Sequence, residues 1–176
     1  MMKRLLSAAV LVFVLSLCAV AQDVCQRHVE PLGGYSLCVP QGWSIEEKEG
    51  QSFKSIFAPR AEKFTPNLNV KEDTNAAPLA DYAAASIKYV LAHYEEIGAT
   101  SLKLIEQSNF RTTSGLSSVR ATFSTEFKGL TIRTLQYYFS GKNNQKLIVT
   151  ATFLEESKAS LDPVFDRALK SFQLDK

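Results

Sequence analysis

The chain has 176 residues, 20 of them basic and 18 acidic. Two of the basic residues, Lys3 and Arg4, stand at the head of an apolar leader, and from Gln22 onward 18 basic residues face 18 acidic ones. A chain so balanced, with no basic block, is a poor match for a row of nucleic-acid phosphates or for strong attraction to an anionic membrane. From Gln22 to the end it is long enough for one cored domain and too short for two ordinary ones.

Lys3 and Arg4 precede the apolar run 5–17 and then Ala19-Val20-Ala21, a small-x-small site that predicts a secretory signal over 1–21, cleaved before Gln22. The run falls short of the roughly 20 apolar residues a membrane span needs, and no second such run follows, so the mature chain is expected to have no transmembrane span. Leu15-Ser16-Leu17-Cys18 resembles a bacterial lipoprotein signal, which makes a lipid anchor at Cys18 the alternative. Leu17 departs from that pattern, because a small residue belongs before the lipid-bearing cysteine. The expected location is therefore the periplasm or the exterior.

Export places Cys25 and Cys38 in an oxidising compartment, where pairing is favoured. Their loop of about 14 residues gives about 3 kcal/mol on the chain-entropy model. Zinc held by both thiolates and His28 competes, but a fourth ligand is missing and His93 falls in a predicted helix. No metal or other cofactor is expected. Segment 22–33 reads as a polar, irregular tether, followed by a single domain over 34–174.

The first predicted strand is 35–39, ended by Pro40 and the turn Pro40-Gln41-Gly42. Trp43 and Ile45 alternate with polar neighbours, and Trp43 reads as a core-sealing aromatic in preference to an exposed ligand platform. An imperfect strand over 52–57 and another over 67–71 flank the charged loop 59–66. The long helix is 78–97, with Pro78 in its first turn, Asp81 near its positive end and Gly98 as its stop. Ala83, Ile87, Val90, Tyr94 and Ile97 form its apolar stripe.

Strands follow at 102–110, 119–127, 130–139 and 146–154. Lys128-Gly129 turns the middle two into a hairpin, pairing Phe127 with Leu130, Phe123 with Thr134 and Ser124 with Arg133. Arg133 then lies diagonal to Glu126 on a face read as solvent-side surface patterning, with an Arg120–Arg133 anion strip as the alternative. A closing helix begins at Ser160 or Asp162 with Pro163 near its start, and buries Val164, Phe165, Ala168, Leu169 and Phe172. The fold class is α+β: a mostly antiparallel β-sheet flanked by a long central helix and a C-terminal helix.

Gly34-Tyr35 leading to Val39-Pro40-x-Gly42-Trp43, then Phe64-x-Pro66-Asn67-x-Asn69-Val70, the helix, the hairpins and Leu147-Ile148-Val149-Thr150-Ala151-Thr152 together resemble the PsbP-like superfamily. The resemblance spans Gly34 to about Leu174 and takes in PsbP and DcrB-type envelope proteins. It implies a non-enzymatic accessory or binding module whose partner is a protein or an envelope component. Phe64, Pro66, Asn67 and Asn69 are the candidate recognition surface.

Two other functions stand beside this one: a permanent structural component of an envelope complex, and a small envelope hydrolase. Ser114, Ser117 and Ser118 lack the Gly-x-Ser-x-Gly setting of a nucleophile, and only His28 and His93 exist to activate one. Glu72, Asp73 and Glu106 make an acid pair only if the fold brings them together.

Overall fold

The computed structural model describes residues 25–175; the expected signal segment and Cys18 lie outside the described residues. Ten strands and two α-helices follow one another as β1 (Gln26–Glu30), β2 (Tyr35–Val39), β3 (Ser44–Glu46), β4 (Ser55–Phe57), β5 (Asn67–Thr74), α1 (Leu79–Ala92), β6 (Ser101–Arg111), β7 (Ser117–Phe127), β8 (Leu130–Ser140), β9 (Gln145–Leu154), α2 (Lys158–Lys170) and β10 (Gln173–Leu174). Seven strands form one sheet in the order β3-β4-β5-β9-β8-β7-β6, and β1-β2-β10 form a second. Each described strand pair is antiparallel. The fold is α+β, with two helices against mostly antiparallel sheets.

Period-two alternation puts two different faces on the large sheet. Leu135, Tyr137 and Phe139 of β8 and Leu147, Val149, Ala151 and Phe153 of β9 point to one side, where β2, α2 and the turn after α2 cover them with Leu37, Val39, Phe165, Leu169 and Phe172. Phe172 stacks on both Tyr35 and Phe139, at 5.3 and 4.5 Å between ring centres, so one aromatic column joins the two sheets. The opposite side is thinner: Tyr82, Ala83 and Ile87 of α1 close over Val119, Ala121, Phe123 and Tyr138.

The β7–β8 hairpin has the expected register, Phe127 to Leu130, Phe123 to Thr134 and Ser124 to Arg133. Lys128 and Gly129 both adopt positive φ, 50° and 75°, which matches the twist of the strands they join.

Three expectations need correction. Segment 22–33 is not an irregular tether throughout: Gln26–Glu30 pairs along its whole length with Tyr35–Val39. Its sequence is polar because it is an edge strand with its outer residues exposed, so the apolar signal of a strand is absent. The long helix ends at Ala92, and Tyr94–Ile97 is a 3₁₀ turn stopped by Gly98 at φ 75°. With three residues per turn, that segment leaves the stripe, and Ile97 is 65% exposed. The closing helix starts at Lys158, ahead of Ser160 and Asp162, so Pro163 sits inside it. The preceding 3₁₀ turn Glu155–Ser157 has already set the helical path.

Candidate functional site

α1 packs chiefly against β6, β7 and β8, reaching β9 at Ile148 and β5 at Asp73, and beside it on the same sheet face Thr150 and Thr152 of β9 line an open groove. Register places two rungs across that face, Asn67–Thr152–Thr134–Phe123 and Asn69–Thr150–Gln136–Ala121. The floor thus grades from amide and hydroxyl groups on β5 and β9 to apolar groups on β7. Val90 of α1, Ile97 of the 3₁₀ turn, Phe127 at the hairpin and Phe64 of the loop before β5 raise walls around it, and the resulting groove encloses 280 Å³.

The loop that carries Phe64 is fastened at its base, where Ala58 N–H donates to the Pro66 carbonyl at 2.9 Å and Asn67 Nδ2 donates to the Thr65 carbonyl at 3.2 Å. On the other wall, Tyr82 O–H donates to Asp73 at 2.9 Å and ties α1 to β5. Burial first, and then that hydrogen bond, push the Tyr82 phenol up to about 12. Tyr138 O–H donates to Gln136 Oε1 at 2.7 Å, which holds that side-chain oxygen of the groove floor from beneath α1.

Of the four residues the sequence singles out, Phe64 lines the groove. Asn67 and Asn69 extend its two rungs by one strand, and Pro66 closes the loop. Sequence reasoning missed Ile97, Phe127, Thr150 and Thr152. The two threonines carry a signal, since they interrupt the apolar positions of a central strand on one side only.

The remaining candidates scatter. Cys25 and Cys38 are joined in a disulfide, which removes both thiolates from any zinc set with His28. His28 lies 3.8 Å from Glu30, and His93 stacks on Tyr89 with Nδ1 2.8 Å from the Tyr89 carbonyl. Ser114 Oγ lies 2.8 Å from Thr112 Oγ1, Ser117 is exposed, and Ser118 donates to the Val119 carbonyl at 3.2 Å. Glu72 and Asp73 are on β5 and Glu106 is on β6, four strand steps away across the sheet, or about 19 Å at the usual spacing. That separation rules out the acid pair. Trp43 is half-buried, edge-on to Phe165 at 5.3 Å between ring centres, and packs against the larger core as a sealing aromatic does. Arg133 is not on a solvent-side face: it is 7% exposed beneath α2.

No protein-family model matches the chain, and no curated protein matches it in sequence. Solved structures do match in shape. Cyanobacterial PsbP (CyanoP) from Synechocystis is similar at a TM-score of 0.66 and 15% identity, over 89% of this chain and 95% of that one. The Ran-binding protein Mog1p of Saccharomyces cerevisiae gives 0.59 and 13%, over 85% and 95%. LpqN, involved in cell envelope biogenesis of Mycobacterium tuberculosis, gives 0.57 and 14%, over 89% and 88%. The chain has the PsbP-like fold, as its Pro-x-Gly-Trp and asparagine-strand motifs imply.

Proposed function

We propose that this chain is an exported, non-enzymatic binding or accessory protein of the bacterial envelope, and that a protein or envelope component docks in the groove beside Phe64. The observation that carries the reading is the groove itself, an apolar wall of Phe64, Val90, Ile97 and Phe127 over a hydroxyl-rich floor beside α1. A recess of this kind accepts an apolar side chain while its rim offers orienting hydrogen bonds. The Cys25–Cys38 disulfide supports an oxidising location, the periplasm or beyond. Among the described residues no helix is long and apolar enough to cross a membrane. The fold shared with a Ran-binding protein and with a protein of envelope biogenesis supports the binding role.

The test is site-specific photocrosslinking in the native envelope. A photoreactive residue at position 64 or 97 should capture one reproducible neighbour, and the same group at exposed Lys142, on the β8–β9 loop, should not. Equal labelling from all three positions would overturn the groove as the docking surface. Turnover of an ester, peptide or glycoside that disappears on replacing His28 or His93 in a folded protein would overturn the non-enzymatic reading.

A further inference from the structure

A second cavity, 630 Å³, opens on the opposite face of the large sheet, between α2 and strands β6 to β8. Its size is that of a small-molecule site. Register brings Arg120 beside Tyr137, Thr122 beside Leu135 and Glu106 beside Thr122, and Lys158, Asp162, Pro163 and Asp166 of α2 form the facing wall.

The wall is charged but balanced, with Arg120, Arg133 and Lys158 against Glu106, Asp162 and Asp166. Arg120 Nη2 donates to Glu106 at 2.9 Å, and Arg133 Nε donates to Asp162 at 3.1 Å. An entering anion meets three carboxylates and an entering cation meets three basic groups, so neither gains a clear field. A neutral ligand is the one such a wall admits without opposition.

At the floor, the Tyr137 hydroxyl, the Thr122 hydroxyl and Arg120 Nε are buried, Thr122 without a partner and Tyr137 and Arg120 with none beyond each other's side chains. The first two belong to residues 0% and 1% exposed. Nearly all buried polar groups in folded proteins are satisfied, so an orphaned hydroxyl beside an under-satisfied Tyr137–Arg120 pair on adjacent rungs of one cavity is an unusual concentration. Burial above all, with Asp166 and Asp162 adding to it against the pull of Arg120, pushes the Tyr137 phenol up to about 12, and it stays a donor at neutral pH. Arg120 Nε only donates, the two hydroxyls donate or accept, and Asp166 across the cavity only accepts.

We infer that this cavity binds a neutral sugar ring, whose adjacent hydroxyls both give and take hydrogen bonds and so serve Arg120, Thr122, Tyr137 and Asp166 together, with its C–H face on Leu135 and Pro163. The site is separate from the groove beside Phe64, and its test does not depend on that groove.

The experiment is an NMR titration of the disulfide-bonded protein, following the Thr122 and Leu135 methyls and the Arg120 and Tyr137 amides. The probes are methyl glucopyranoside, methyl galactopyranoside and N-acetylglucosamine, with acetate and alanine as the anion and the zwitterion. At least one sugar should shift these signals saturably, and acetate and alanine should not. Tyr137→Phe and Thr122→Val should each weaken that binding by about tenfold or more, and Thr122→Val should leave the melting temperature unchanged or raised, because it removes a buried hydroxyl that has no partner. Four results would overturn the inference: no saturable shift with any of the sugars, the same shifts from acetate or alanine, unchanged affinity in both variants, or a fall in melting temperature with Thr122→Val.

Discussion

Arg133 and Asp162 fasten β8 to α2: Arg133 Nε donates to Asp162 Oδ1 at 3.1 Å, and the arginine side chain is only 8% exposed. Glu155 lies 3.6 Å away on the other flank of the guanidinium. Water has little access to this cation, so the two acids do work that solvent does for surface arginines. Asp162→Ala should destabilise the fold by about 2 to 3 kcal/mol, below the upper range for a stranded buried charge because Glu155 remains. Urea unfolding checks it. Arg133→Met with Asp162→Ala should recover part of the loss, and a single-variant loss below about 0.5 kcal/mol would place the pair among inconsequential surface bridges.

The Cys25–Cys38 bond holds an edge strand whose sole neighbour among the described strands is β2. Reducing it, or replacing both cysteines with serine, should lower stability by up to about 3 kcal/mol. The loss should be local at first. Hydrogen exchange should accelerate at the amides of Gln26–Glu30 before it does in the large sheet, and uniform acceleration would show that β1 does not open independently.

Stability should also fall on mild acidification because of His28. Burial holds its imidazole below the usual 6.5, outweighing the opposite pull of Glu30, and Lys54 acts in the same direction as burial. The unfolded chain therefore binds the proton more readily. The contribution of neutral His28 is complete above about pH 6.5 and is lost as the pH falls through the lower folded value. His28→Gln should flatten that part of the stability profile when unfolding is compared at pH 7.5 and 5.5, about one unit either side of a free imidazole's value. Parallel profiles would remove His28 as the cause.

Changes in the groove should separate binding from stability. Ile97 is 65% exposed, so Ile97→Ser should alter stability by less than about 0.5 kcal/mol. Phe64→Ala should cost somewhat more, since its ring is half-buried. Both should lower the yield of the crosslinked neighbour captured from position 90, with Val90 replaced by the photoreactive residue. Undiminished capture would move the contact elsewhere.

The strand and helix content was legible because it is written locally. The alternation from Val119 to Phe127, the turn at Lys128-Gly129 and the apolar run of β9 each specify their own conformation, and the hairpin register follows from the turn. The disulfide was legible from two cysteines and the export that the leader predicts. Phe64 was found through a motif resemblance, whereas Ile97 was read as core because the sequence shows a continuous helical stripe and hides the change to a tighter turn after Ala92.

By itself, then, the sequence determined most of the strand and helix segments, though not β1 or the end of α1, together with the alignment of the β7–β8 hairpin, since each depends on neighbours a few residues apart. Only the tertiary structure decided which sheet face each helix covers. A strand's alternation defines two faces and does not say what will lie on them. Where α2 lands turns Arg133 from an apparent surface charge into a buried anchor and leaves Thr122 and Tyr137 enclosed. Where α1 stops leaves the threonines of β9 open beside Phe64. Both sites are therefore products of packing between elements far apart in the chain.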